Sequence, residues 1–67
     1  MSTREIYRTA GVLVKGYGAD RAPLMAARHC VALYQLGDIA GVVMWKGVLL
    51  AVEEIVRTKR DEGEHLN

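Results

Sequence analysis

Few side chains in this chain could do chemistry, and their spacing keeps them apart. His29 and Cys30 have the types of a nucleophile and its base. On a helix, though, adjacent residues point about 100° apart, so these two cannot exchange a proton with each other. His65 sits in a polar end and reads as a solvated side chain, and the adjacent Glu53 and Glu54 read as ordinary charged surface. Cys30, His29 and His65 are the only soft metal ligands, and no two of them have the spacing of a structural zinc site. Only a second copy of the chain could double them. The expectation is a protein with no catalytic residues, no metal and no cofactor, hence not an enzyme.

The run Gly16–Tyr17–Gly18–Ala19–Asp20 leads into a helical pattern and superficially resembles a phosphate cradle. The free amides and dipole at a helix N-terminus would attract an anion there. Asp20, however, brings its own carboxylate, and the lysine and hydroxyl of a P-loop are missing. This stretch is expected to be a cap rather than a phosphate site.

The elements that position these residues are helical. Ser2 followed by Glu5 is a capping box. Ile6, Ala10, Leu13, Val14 and Tyr17 then recur on one helix face, with Arg4, Arg8 and Lys15 on the other. Gly16 and Gly18 are expected to stop this segment. Asp20 is the natural N-cap of a second one, with Pro23 in its first turn. Its expected buried face is Pro23, Ala26, Ala27, Cys30, Leu33 and Tyr34, and Met25, Ala32 and Leu36 flank a polar stripe of Arg21, Arg28 and Gln35. Gly37 stops it and Asp38 caps a third segment. There the expected core positions are Gly41, Met44, Val48, Ala51, Val52 and Ile55, with Trp45 at the edge and received by small residues of its neighbours. The spacing therefore predicts an all-α, compact three-helix unit over residues 1–57, with helices at about 3–16, 20–36 and 38–57. Residues 58–67, TKRDEGEHLN, are expected to be a frayed helix end and a disordered tail.

Composition agrees with one small soluble domain: 67 residues, 51% hydrophobic, 25% charged, net charge +1. That balance gives no global field to steer the chain toward nucleic acid or anionic lipid. Met1–Glu5 lacks the apolar core of a secretory signal. The run Ile39–Val52 falls short of the ~20 residues that cross a bilayer and carries Lys46 at its centre. A cytoplasmic location is expected. Cys30 is the only cysteine, so no disulfide can form within one chain, and a lone buried thiol reads as an inert small hydrophobe.

Residues 16–23 (GYGADRAP) and 37–55 (GDIAGVVMWKGVLLAVEEI), read together, resemble a group of small alphaproteobacterial hypothetical proteins, sphingomonad ones included, that carry a GDxxGxxxW motif. Gly18, Asp20, Ala22, Gly37, Asp38, Gly41 and Trp45 match that pattern, over a likeness spanning roughly residues 6–56. Val48 stands where isoleucine is usual. Tyr17 stands where relatives have histidine, so no role of that histidine carries over. The resemblance implies no activity; its matched positions are caps, turns and packing residues.

Ile39–Val52 holds fourteen residues and one charge. A helix apolar on nearly every side must be covered on nearly every side, and two short helices cover about half of it. Chains this small also often need association to be stable. The surplus comprises a stripe of Val42, Leu49 and Val56 and a back face of Ile39, Val43 and Leu50 around Lys46. The expected interface is Ile39, Val42, Lys46, Leu49, Leu50 and Val56, with Met25 and Leu36 from the second segment. Self-association into a homodimer is the first reading, and a small regulator or inhibitor docked on a larger protein is the alternative. A helix-turn-helix reading comes third: a recognition helix needs polar residues near its start, and Ile39–Ala40–Gly41–Val42–Val43 offers none.

Overall fold

The computed structural model describes residues 2–65, with side chains through residue 60. Two helices, α1 (Thr3–Gln35) and α2 (Ile39–His65), contain all of these residues except Ser2 and the turn at 36–38. The expectation of a three-helix unit is thereby corrected, while the all-α class stands. Helical structure runs through the expected break, so the segments placed at 3–16 and 20–36 form one element. The interruption is only one residue long. Gly18 takes φ 84 and ψ 165 inside α1, a combination essentially confined to glycine. Asp20 does not open a separate element. Its carboxylate lies 3.5 Å from the Arg60 guanidinium on the surface instead.

That single residue folds α1 back on itself. A Cβ placed on Gly47 would meet the Ile6 side chain at 3.3 Å, and the His29 and Trp45 ring centroids are 3.9 Å apart. In a straight helix Ile6 and His29 would be about 35 Å apart, at about 1.5 Å per residue. Here they reach α2 at positions two residues apart. α1 therefore has two arms, residues 3–17 and 19–35. The first starts beside Gly47 and runs along α2. The second runs against it, from Asp20 at Arg60 to His29 at Trp45. Pro23 lies near the start of the second arm and has no N–H to give the carbonyl of Ala19.

The core is thin. Ala10 and Val14 from the first arm and Ala22 from the second close on Val48, Ala51, Val52 and Val56 of α2. Ala26 is also fully buried, and the largest fully buried side chains are Val48 and Val52. Alanines at 10, 22 and 26 let the backbones approach closely, so few large side chains fit between them. Ile6, Leu13, Ala19, Trp45 and Ile55 are half-buried around this cluster. Tyr17 and Tyr34, expected on buried faces, are exposed.

The ends follow local chemistry. Ser2 Oγ accepts from the Glu5 amide at 3.3 Å, which is the hydroxyl half of a capping box. At the other end Gly37 takes φ 77. Its amide donates to the Tyr34 carbonyl and the Asp38 amide to that of Leu33, both at 3.0 Å. This pair of bonds is a Schellman stop. Asp38 then caps α2, its Oδ1 accepting from the Gly41 amide at 3.0 Å. A Cβ on Gly41 would lie 2.6 Å from the Asp38 carboxylate, so the glycine makes room for the cap. α2 extends to His65, eight residues past the expected boundary at 57. No residue from Thr58 to Glu62 is a helix breaker. Of the expected disordered tail, Leu66 and Asn67 lie outside the described residues.

The result is an elongated body of 46 × 22 × 15 Å with a radius of gyration of 12.7 Å. A globular domain of this length would have about 11 Å.

Candidate interaction surface

The two arms cover two sides of α2 and leave a third open. Each residue turns the helix by about 100°, so the contacts can be placed around its axis. The first arm lies over Gly47 and Glu54, touched by Ile6 and Tyr7. The second lies over Trp45 and Arg60, touched by His29 and Asp20. Between them Val48 and Val52 are sealed. Directly opposite that seam stand Ile39, Val43, Lys46, Leu50, Glu53 and Arg57, in steps of four and three, and all are exposed.

This outer face is apolar over its first half. Ile39 is 61% exposed, Val43 67% and Leu50 59%, and Leu36 in the adjoining turn is 80% exposed. Val42 and Leu49 sit half-buried along the edge toward the second arm, and Met25 is half-buried on that arm. Lys46 is the one charge within the apolar stretch and is exposed. Of the expected interface, therefore, Ile39, Lys46, Leu50 and Leu36 are freely presented, and Val42, Leu49 and Met25 partly so. Val56 is different. It is 6% exposed and belongs to the chain's own core. The spacing put it in register with Val42 and Leu49, but the arms close over α2 near its middle and leave only the earlier turns of that stripe uncovered. Val43 is presented as openly as its neighbours, and its position four residues after Ile39 was the signal for it. Exposed Val12, Leu24 and Val31 on α1 were not singled out from the sequence.

Among the described residues, His29, Cys30, Glu53 and Glu54 form no shared site. His29 is exposed and stacks on Trp45 with an interplanar angle of 39°. This aromatic partner was not legible from sequence, where small residues were expected around the indole. Cys30 is half-buried with a free thiol. The described residues contain no group of three or more His, Cys, Asp or Glu placed to hold a metal ion. The side chain of His65 lies outside the described residues. Among the described residues, no buried side-chain polar atom lacks a hydrogen-bond partner.

One titratable contact is shaped by the fold. The Tyr7 hydroxyl donates to the Glu54 carboxylate, at the edge of an open depression also lined by Ile55, Thr58 and Lys59. The hydrogen bond raises the phenol above its usual value near 10.0, the negative charge of Glu54 adds to this, and burial contributes least. The contact ties the first arm to α2. No helix among the described residues is long and apolar enough to cross a membrane. Comparison with known protein families, curated proteins and solved structures found no match to this chain.

Proposed function

We propose that this chain is a non-enzymatic helical interaction module that self-associates into a homodimer through the outer face of α2. The observation that carries the reading is the contiguous exposed stripe Leu36, Ile39, Val43 and Leu50, edged by Val42 and Leu49. Exposed apolar patches of this kind usually mark interfaces.

The surface area supports it. The chain exposes 5083 Å². A folded monomer of 7.4 kDa would expose about 4,200 Å². The difference is slightly more than the roughly 800 Å² that one partner contributes to a standard interface. The outer stripe of α2 supplies apolar area to that surface. A buried core made, among the described residues, of alanine and valine gives a second reason for association. Burying Leu50 and Ile39 would add apolar side chains larger than any in that core. A cytoplasmic location belongs to the same reading.

The experiment is native mass and light scattering of the full chain across micromolar concentrations. A concentration-dependent shift from one copy to two is expected. A species that stays monomeric throughout, with the stripe still wet, would overturn the reading. A chain that is monomeric alone but recovered in stoichiometric complex with one larger protein would replace it with the docked-regulator alternative.

A further inference from the structure

The outer face of α2 carries a charge order that says how two copies would lie on it. Lys46 and Glu53 sit on that face seven residues apart, both exposed. They are two full turns apart, nearly in line along the helix. Glu53 follows the apolar stretch and Lys46 lies within it, with Leu49 and Leu50 between them.

Two relative directions are open to a pair of α2 helices. If parallel and in register, Lys46 would face Lys46 of the second copy and Glu53 would face Glu53. Like charges would then meet at both levels. If antiparallel about a two-fold axis at the level between Leu49 and Leu50, Leu49 and Leu50 of both copies occupy the centre. Lys46 of one copy then lies level with Glu53 of the other, each roughly 5 Å along the axis from the two-fold. A lysine stem reaches across to that carboxylate while its methylenes cover leucine. The two-fold repeats the pair on the opposite side, as an isologous interface must.

We infer that two copies associate with their α2 helices antiparallel, Lys46 of each copy paired with Glu53 of the other across Leu49 and Leu50. This rests on the homodimer reading above and adds direction and register to it.

The test is a charge swap on the full chain, read as the dimer dissociation constant by analytical ultracentrifugation, with helix content by circular dichroism as the folding control. Both side chains are exposed, so the variants should keep the wild-type helix content. K46E sets a second carboxylate against Glu53, and E53K sets a second ammonium against Lys46, twice in each dimer. Each should weaken self-association by about tenfold or more. The double variant K46E/E53K restores opposite charges and should return to near the wild-type constant. Mixing K46E with E53K should yield a heterodimer tighter than either variant alone, because both cross-pairs are then attractive. If the wild type dimerises but the double variant stays as weak as the single ones and mixing restores nothing, the antiparallel register is overturned while the dimer stands. If the wild type does not dimerise at all, both fall.

Discussion

The two faces of α2 are made of nearly the same residues and meet opposite surroundings. Val48, Ala51, Val52 and Val56 face the arms of α1 and are sealed, whereas Ile39, Val43 and Leu50 face away and are open. Apolar character therefore does not separate them. Partner size does. Ala10, Ala22 and Ala26 are small enough to bring both arms close along the inner seam, and two arms placed there cannot also reach around the helix. The inner face holds the protomer together, and the outer face is available to a second chain.

The sharpest way to break that comparison is to put one charge on each face. Val52→Asp would place a carboxylate in a site with no polar partner, which should cost on the order of 3–5 kcal/mol and unfold so small a domain. Leu50→Asp puts the same group into solvent. It should leave the circular dichroism and melting of the dilute monomer close to wild type while abolishing the dimer. Thermal melts and sedimentation of the two variants decide the matter. Equal loss of helix in both would show that the outer face belongs to the protomer's own core after all.

A second contrast lies between the two glycine positions. Gly37 (φ 77) stops a helix in a standard left-handed cap, and Gly18 (φ 84, ψ 165) folds one in its middle. The Gly18 conformation is the less accessible to other residues, and substituting it costs on the order of 1–3 kcal/mol. Gly18→Ala should therefore lower stability more than Gly37→Ala, where one left-handed alanine costs about 1–2 kcal/mol. Denaturant melts of both variants measure the order. If Gly37→Ala is the worse, the fold at Gly18 is not what holds the arms against α2.

These glycines also show what the sequence could reveal. The stop at Gly37, the cap at Asp38 and the cap at Ser2 were legible because each depends on residues within four positions. Gly18 was legible as a break, but not as one so short that a single helical element continues through it. Val56 shared the spacing of Val42 and Leu49, and only the placement of the arms decides that it is inside while they sit at an edge. Gly41 read as a core position because its spacing matched Met44 and Val48. Its tight approach to the Asp38 carboxylate is a matter of cap geometry. The stacking of His29 on Trp45 joins two elements whose meeting depends on the fold at Gly18. What stayed hidden was set by contacts between elements, which one-dimensional periodicity does not contain.

The smallest expected effect concerns Tyr7 and Glu54, on the inner side of the comparison. The phenol is raised above its usual value near 10.0 because its hydrogen bond to the carboxylate exists only while it is protonated. Below the unfolded value the phenol is protonated in both states, and the contact contributes fully. As pH rises through the higher folded value, the phenolate forms beside the negative Glu54, and the contribution is lost. Tyr7→Phe removes both the bond and this dependence. Stability measured by denaturant between pH 8 and about 11.5 should therefore show wild type slightly above the variant at the lower end, with the two curves converging as the medium becomes alkaline. Dimerisation of Tyr7→Phe at neutral pH should match wild type, because the hydroxyl it removes bonds Glu54 and none of Ile39, Val43 or Leu50. Parallel stability curves would show that the contact contributes nothing to holding the first arm. A changed dimer constant would show that the two faces of α2 are coupled rather than independent.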